Sequence, residues 1–447
     1  MSTLDLGYVS DMGSVQSCAR TSNFISVLLM GVILMEMMSC ADESDSGDCF
    51  SNVDCAGRMA CVQGKCVGNF TECEMLGAFQ PIVTHSFSDV NRLEDGHTFI
   101  DEFSTVHYCY DAYINGAYVS RYGKQTSSFS FNEIPIQNSS YQEIHCNALA
   151  ISSDGTPFVL DKHNALVLYR INGAWRIFTL REIETNVERA DLAGNDTVIH
   201  MTPDNTGGMY VGISMGYTHT EQKVYLAHAT SGGFELLKNG LRDTNVFSGH
   251  APQFAPQAAT SATTAQPVST IPYYVTDDLK HSVVSLNDSQ IGSIQSVEGG
   301  YPRVDLDEAG YLNILYVDTN YFLRVARMQN GHFLERGTAG QIDFDSPNAQ
   351  IPWVFDVRPT GTSHILYEDN TQGYHTLSYR KVTQDNASDI SIITTALTST
   401  LNGSQKYAIH TDLCRRATVA VFEEQTSENI ETGTLNARTV LTIKAQR

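Results

Sequence analysis

The chain has 447 residues, which is enough for one large domain with accessory segments. It carries 28 basic and 50 acidic side chains, and its formal net charge is -22. A chain this acidic repels phosphate backbones, so we do not expect nucleic acid as a partner. Only 17% of the residues are charged, whereas Tyr, Phe, Thr, Ser and Val are frequent, and this composition favours β-strands.

The first predicted element is a leader, residues 1–40. Its apolar run FISVLLMGVILM, Phe24 to Met35, has the length of a signal-peptide core and is too short to cross a bilayer. The Ser39-Cys40 pair that follows, ahead of an acidic tail, resembles the lipobox of bacterial lipoproteins. The resemblance implies that Cys40 is lipidated and anchors the protein in a membrane. A plainly cleaved or an uncleaved signal is the alternative.

A flexible acidic tether, residues 41–48, and a cysteine-rich module, residues 49–78, are predicted next. The stretch DCFSNVDCAGRMACVQGKCV resembles the short modules that follow the lipobox in bacterial surface lipoproteins. A segment of about 25 residues has no room for a hydrophobic core, so cross-links must hold it. Zinc sites usually use cysteine pairs two to four residues apart, and the wider gaps here favour disulfides over zinc.

Eight cysteines remain when Cys40 is lipidated and Cys18 leaves with the leader, and this even number favours an oxidising compartment. We predict disulfide bonds for Cys49, Cys55, Cys61, Cys66, Cys73, Cys109, Cys146 and Cys414. Cys109 and Cys146 fall in adjacent predicted sheets, so a bond between them is compatible with the predicted fold.

Residues 79–447 contain a repeated strand-turn-strand phrase. ALAISSDGTPFVLD, ending at Asp161, matches RVDLDEAGYLNILYVD, ending at Asp318. A second phrase, VYLAHATSGGF, matches LRVARMQNGHF, and LVLYRINGAW is a shorter version. Together they describe a sheet of four antiparallel strands. Such sheets must pack face to face, so the pattern predicts an all-β fold, a β-propeller.

We count seven blades of about 53 residues between positions 91 and 447, and six or eight are the alternatives. The last blade is one strand short, and we assign Gln80 to Ser88 as its missing outer strand. Ala251 to Thr270 is rich in Ala, Thr and Pro without a strand period, and it is interpreted as a loop insertion. Gly155, Gly310 and Gly361 are predicted at turns that require positive φ.

This combination resembles secreted or lipidated bacterial β-propeller proteins with degenerate repeats. The resemblance implies display outside the cytoplasm, either anchored at the outer membrane or cell surface or secreted, and it implies no single activity. We expect a monomer.

Acidic residues end the second strand of six predicted blades. On the face where blades connect, they would form a rim around the channel mouth. Simple capping of turns is the structural alternative. The candidates for binding a ligand or cation are Asp111, Asp161, Asp277, Asp318, Glu368 and Glu423. Their aromatic neighbours are Tyr113, His163, Tyr217, His219 and Tyr321.

No cofactor is predicted, with Ca²⁺ at the acidic rim as the one alternative. The chain lacks HExxH and Asp-box motifs, so no catalytic residue is assigned and the sequence favours binding over catalysis. The first hypothesis is a surface-anchored binding or scaffold propeller that recognises a protein or a glycan. The second is a secreted carbohydrate-active or other hydrolytic enzyme that uses the rim carboxylates as acid and base.

Overall fold

A computed structural model describes thirty strands and the turns adjoining them. The described residues are 60–62, 65–67, 77–87, 90, 93–101, 103–127, 130–179, 198–203, 207–218, 221–230, 233–243, 253–254, 273–277, 281–285, 295–298, 300–307, 312–329, 332–341, 353–357, 362–369, 376–383, 387–397, 406–412, 416–429 and 434–446. No helix in these ranges is long and apolar enough to cross a membrane. The predicted leader and tether lie outside them.

Two short strands and one single strand come first in the chain: β1 (Ala60–Val62), β2 (Lys65–Val67) and β3 (Phe79–Ser86). The first sheet is β4 (Asp95–Ile100), β5 (Val106–Ile114), β6 (Ala117–Ser127) and β7 (Ser130–Pro135). The second sheet is β8 (Ala148–Ile151), β9 (Pro157–Asp161), β10 (Leu166–Ile171) and β11 (Ala174–Thr179). The third sheet is β12 (Val198–Pro203), β13 (Met209–Thr218), β14 (Glu221–Thr230) and β15 (Gly233–Asp243).

The remaining sheets continue in chain order. The fourth is β16 (Gln253–Phe254), β17 (Tyr273–Asp277), β18 (His281–Ser285) and β19 (Gln295–Glu298). The fifth is β20 (Gly300–Leu306), β21 (Leu312–Val317), β22 (Phe322–Gln329) and β23 (His332–Gln341). The sixth is β24 (Trp353–Asp356), β25 (Thr362–Asp369), β26 (Thr376–Thr383) and β27 (Ser391–Thr394). The seventh is β28 (Tyr407–Thr411), β29 (Ala417–Asn429) and β30 (Thr434–Gln446), together with β3.

Apart from the two-stranded sheet of β1 and β2, the sheets of the described residues form a closed ring. These seven sheets have four antiparallel strands each, and the first strand of each contacts the first strand of the next. The ring closes because β28 of the seventh sheet contacts β4 of the first. The predicted fold class, an all-β propeller, is therefore confirmed.

Buried side chains of β9 alternate between the two faces of the second sheet. On β9, Phe158 and Leu160 pack with Met201 of the third sheet, whereas Val159 between them packs toward the first sheet with Tyr122. Both faces of such a strand are covered, so its sequence is a continuous apolar run without polar alternation. Each fully buried side chain of this kind contributes about 1.5 to 3 kcal/mol.

Asn-Gly pairs make the tightest turns between strands. Asn115 and Gly116 have φ values of 53° and 81°, and Asn172 and Gly173 have 52° and 81°. Two consecutive positive φ values define a type I′ turn, whose twist matches that of the flanking strands. The predicted positive φ of Gly155 is confirmed at 82°, and Gly310 and Gly361 lie outside the described residues.

The predicted ring-closing strand is confirmed. β3 pairs antiparallel with β30, from Phe79 opposite Gln446 to Ser86 opposite Val440, and is the outermost strand of the seventh sheet. The interpretation of Ala251 to Thr270 as a loop is wrong at its start, because Gln253–Phe254 form β16. Two residues between prolines are too few to show a strand period, which explains the error.

A hydrogen-bonded group, the closure network, joins the seventh sheet to the first. Its centre is Glu133 on β7, which His85 of β3 approaches at 3.1 Å and to which Tyr108 donates at 2.7 Å. Tyr110 and Arg121 contact the other carboxylate oxygen at 3.2 and 3.3 Å. Burial opposes the charge of Glu133, but His85, Tyr108 and Arg121 together lower its pKa below its ordinary value.

Gly123 makes room for this network. A Cβ atom at position 123 would come within 2.1 Å of the Tyr108 ring, and that ring is fully buried. A larger residue would therefore displace the tyrosine from Glu133.

A buried histidine–tyrosine pair occurs in two of the repeated sheets, and the sequence analysis missed it. His107 and Tyr122 of the first sheet are hydrogen-bonded at 2.6 Å, and His364 and Tyr379 of the sixth sheet at 2.8 Å. The two pairs occupy equivalent register positions, because His107 lies opposite Lys124 and His364 opposite Lys381.

The predicted bond between Cys109 and Cys146 is present, and both residues are fully buried. It ties β5 of the first sheet to the connection that leads into the second. β1 and β2 pair with Cys61 opposite Cys66, and their oxidation stays a prediction. The other predicted cysteines, Cys40, Cys49, Cys55, Cys73 and Cys414, lie outside the described residues.

Candidate functional site

One face of the ring carries the turns between second and third strands and the connections between sheets, and we call it the connection face. At the border of the first and second sheets it is formed by the β5–β6 turn, the connection 136–147 and the β9–β10 turn. Polar and aromatic side chains meet there with the start of β4. This junction cluster consists of Asp95, Asp111, Tyr113, Tyr118, His145, Asn147, Asp161, Lys162, His163 and Asn164.

Asp111 is the buried centre of the cluster, with 1% of its surface exposed. Its carboxyl oxygens lie 2.5 Å from Tyr118 Oη and 2.6 Å from Ser120 Oγ, and the Cys146 N–H donates to both at 3.0 and 3.1 Å. Burial raises the pKa of Asp111 to about 7, although its hydrogen bonds with Ser120 and Tyr118 oppose the shift. A carboxyl group of this kind exchanges its proton near neutral pH.

Asp95 lies directly opposite Asp111 on the neighbouring strand, and its pKa shifts in the opposite direction. His97 Nε2 lies 3.4 Å from Asp95 Oδ1, and the Gly96 N–H donates to the same oxygen at 2.8 Å. Burial opposes ionisation, but the nearby His97 ring and the Gly96 N–H lower the pKa of Asp95. The site thus pairs one carboxyl of raised pKa with one of lowered pKa, an arrangement that suits acid-base chemistry.

Rings line the outer side of the cluster. Tyr118 Oη lies 2.5 Å from His145 Nδ1, and the His145 ring stands 4.2 Å from the exposed ring of His163. Tyr113 is 61% exposed and meets Tyr118 edge to face at 5.4 Å. Burial lowers the pKa of His145, and the neighbouring His163 lowers it further. The acidic groups nearby oppose this shift.

The second sheet supplies the remaining members. Asp161 accepts hydrogen bonds from the backbone of His145 at 3.1 Å and from the Asn164 side chain at 2.7 Å. Asn147 donates to Asp95 at 3.4 Å and accepts from the Lys162 backbone at 2.8 Å. Burial lowers the pKa of the Lys162 ammonium, and Asp95 opposes that shift. These bonds fix the connection 136–147 against the β9–β10 turn.

The predicted rim residues do not all meet. Asp111 and Asp161 share the junction cluster, whereas Asp318, Glu368 and Glu423 lie in the fifth, sixth and seventh sheets. The backbone of Asp277 is in β17, and its side chain lies outside the described residues.

A structural partner contacts each of the three distant carboxylates whose side chains are described, Asp318, Glu368 and Glu423. Asp318 accepts from the Phe322 N–H at 2.9 Å and from Arg324 at 2.8 Å, which lowers its pKa. Glu423 receives Lys444 Nζ at 2.6 Å, and Glu368 lies close enough to Tyr407 to raise its pKa. Asp161 and Asp318 accept backbone hydrogen bonds within turns, as the structural alternative predicts. Ligand binding at all six rim positions stays a prediction.

Within the ranges that the structure describes, no three His, Cys, Asp or Glu side chains are arranged to hold a metal ion. Calcium at the rim stays a prediction.

Sequence reasoning selected Asp111, Asp161, Tyr113 and His163 and missed the other six members of the cluster. Tyr118 had a usable signal, because a two-residue Asn-Gly turn places it opposite Tyr113. Asp95 was detectable only from the register of β4 on β5. His145 lies in an irregular connection, where no period indicates its position.

Comparisons with known proteins identify no family. No protein-family profile matches the chain, and no curated protein matches it significantly. Its architecture is similar to that of several solved structures. A catalytically inactive virginiamycin B lyase from Staphylococcus aureus, crystallised with quinupristin, has 11% identity and a TM-score of 0.44 over 83% of this chain and 99% of that one.

A polysaccharide lyase has 10% identity and a TM-score of 0.43, over 83% of this chain and all of the other. The lectin of Aleuria aurantia, in complex with α-methyl-L-fucoside, has 10% identity and a TM-score of 0.39, over 71% of this chain and 99% of the other. Likeness at this level bears on the fold alone, so we argue function from the residues of this chain.

Proposed function

We propose that this protein binds a carbohydrate at the junction cluster. The observation that carries the proposal is the combination of two exposed rings, Tyr113 and His163, with hydrogen-bonding groups set directly behind them. Concave sites that combine rings with a few convergent polar groups are typical of small-molecule binding.

The chemistry of the cluster suits a sugar. The C–H face of a sugar ring packs on an aromatic ring, and its hydroxyl groups need both donors and acceptors. Asn147 and Lys162 supply donors, whereas Asp95, 16% exposed at its side chain, supplies an acceptor. The net charge of -22 opposes an acidic sugar, so we propose a neutral saccharide.

We further propose that the protein acts outside the cytoplasm, anchored through Cys40. The buried bond between Cys109 and Cys146 supports an oxidising compartment, since cytosolic proteins rarely keep such a bond. The wild-type protein is expected in the membrane fraction and the Cys40→Ser variant in the soluble fraction. Equal partitioning of the two would refute the anchor.

Calorimetric titration tests the binding site. The probes are neutral oligosaccharides of glucose, xylose, mannose, galactose or N-acetylglucosamine. Tyr113→Ala and His163→Ala are each expected to weaken binding about 3- to 10-fold, because one ring contact contributes about 0.5 to 1.5 kcal/mol.

Tyr321→Asn is the matched control. Tyr321 is 57% exposed in the equivalent turn of the fifth sheet and has a φ of 64°, which asparagine accepts. The Tyr321→Asn variant should bind the oligosaccharides with the affinity of the wild type. Absence of binding to every probe, or equal weakening in the control, would contradict the proposal.

A further inference from the structure

The hydrogen bonds around Asp111 fix where its protons lie. Ser120 Oγ is 2.6 Å from Asp111 Oδ1 and also contacts the Ile144 carbonyl oxygen, which can only accept. A hydroxyl group has a single proton to donate. If Ser120 donates to the carbonyl, the contact with Asp111 requires a proton on the carboxyl group. The geometry is therefore that of a neutral Asp111 donating to Ser120, in keeping with its burial.

Counting protons in the same way assigns the tautomer of His145. Tyr118 Oη lies between Asp111 Oδ2 and His145 Nδ1, 2.5 Å from each. Burial raises the pKa of Tyr118, so its proton stays on the oxygen. Tyr118 donates to Oδ2 and accepts from Nδ1–H. Neutral His145 is therefore the Nδ1–H tautomer, with the lone pair of Nε2 available.

His145 Nε2 is free to meet a ligand. It makes no hydrogen bond to any residue in the described part of the chain, and the side chain is 18% exposed beside the ring of His163. Asp95 stands across the cluster, ionised and tied to the same connection by Asn147. An acid-base group and a carboxylate thus border the region where the exposed rings would hold a sugar.

We propose that His145 and Asp95 are catalytic residues that hydrolyse a glycosidic bond of the saccharide bound at the junction cluster. This inference rests on the proposed function. A water molecule attacks the anomeric carbon and gives a proton to Asp95 as the new C–O bond forms. The bond to the leaving oxygen breaks, and that oxygen takes the proton of His145 Nε2–H. One water is consumed, and solvent returns the proton from Asp95 to His145.

The charges around His145 set the working pH. The groups that face it are Asp95, Asp111, Tyr118, Glu143, Asp161 and His163. As an acid, His145 must be protonated, so activity falls as the pH rises through its lowered pKa. As a base, Asp95 must be ionised, so activity falls as the pH drops through its own lowered pKa. The expected profile is a bell on the acid side of pH 6.5.

Cleavage of the oligosaccharides named above is followed by mass spectrometry at pH 5. His145→Gln should lower the rate at least 100-fold while binding persists, since general acid-base groups contribute 10²- to 10⁴-fold. His85→Gln is the control, because His85 is exposed to a similar extent, 22%, and lies in the closure network. It should cleave within twofold of the wild type.

Tyr118 is a positioning residue, and nitrogen NMR tests its role without any substrate. The wild type should show the Nδ1–H tautomer of neutral His145, and Tyr118→Phe should release it and move the alkaline limb of the pH profile. An Nε2–H tautomer in the wild type would overturn the inference. Binding without cleavage would overturn it and leave the proposed function standing, whereas absence of binding to every probe would overturn both.

Discussion

Two junctions of the ring hold a carboxyl group with similar partners and give it opposite properties. In the closure network, Glu133 is bonded to His85, Tyr108 and Arg121, and its pKa is lowered. In the junction cluster, Asp111 is bonded to Tyr118, Ser120 and a backbone N–H, and its pKa is raised to about 7. Within hydrogen-bond distance, Glu133 has an imidazole, two phenol groups and a guanidinium, whereas Asp111 has two hydroxyl groups and one backbone N–H. The hydrogen bonds of His85 and Tyr108, with that of Arg121, outweigh burial at one junction, and burial wins at the other.

The two junctions also differ in how the chain is held. The first-to-second junction is tied covalently by Cys109 and Cys146, whereas the seventh-to-first junction depends on pairing between β3 and β30. The junction that closes the ring therefore uses main-chain hydrogen bonds, and the one that carries the candidate site uses a covalent bond.

Deleting Phe79–Ser86 should have the largest effect on this comparison. Each lost ladder hydrogen bond costs about 1 kcal/mol, and the edge of β30 becomes exposed, so we expect a loss of at least about 5 kcal/mol. Urea unfolding followed by circular dichroism measures it. Deleting Ser391–Thr394, an outer strand that closes nothing, is the control and should cost less. Equal losses would show that ring closure adds no stability.

Removing the disulfide should have the next largest effect. Replacing Cys109 and Cys146 together by alanine opens a loop spanning 37 residues and should lower the free energy of unfolding by about 3 to 4 kcal/mol. The connection 136–147 would also become more mobile, which hydrogen exchange at Cys146 and its neighbours detects. Unchanged stability and exchange would mean that backbone contacts alone hold this junction.

The smallest effects concern pH and have opposite signs at the two carboxyl groups. Glu133 has a lowered pKa, so its contribution is present above pH 4.5 and is lost as the pH falls through the folded pKa. Asp111 has a raised pKa, so its contribution is present below pH 3.8 and is lost as the pH rises through about 7. The loss at Asp111 is on the order of 4 kcal/mol.

Unfolding at pH 4, 6 and 8 separates the two groups. Glu133→Gln should destabilise the protein by about 2 kcal/mol at pH 8, since it removes hydrogen bonds to a charged group, and by less at pH 4. Asp111→Asn keeps a neutral side chain at every pH. The free energy of unfolding of this variant should therefore decline less between pH 4 and 8 than that of the wild type. Parallel pH dependences of the wild type and Asp111→Asn would contradict the assigned pKa.

The sequence predicted the architecture well because the fold repeats its own signals. Strand pairs around Asn172-Gly173 and the missing strand of the last sheet follow from turn chemistry and from counting strands. β16 was missed because two residues carry no period.

The candidate site was predicted only in part. Asp111 and Asp161 stand at the ends of recognisable strands, so a rule about strand position found them. The same rule selected Asp318, which accepts hydrogen bonds from a turn backbone and from Arg324 far from this cluster. His145 depends on an irregular connection fixed by long-range bonds to Asp161 and Tyr118, and no local pattern encodes such contacts.

The pairing of β3 with β30 has a consequence for folding. These strands are adjacent in space but far apart in sequence. The nearby hydrogen bond between Phe87 and Arg438 joins residues that are 351 positions apart. Contacts of such high sequence separation form slowly, because most of the chain must be in place before the ring shuts. Until then the edge of β30 is open to strands of other molecules. Closure is therefore the step at which we expect aggregation to compete with folding, and a chaperone that covers β30 would act there.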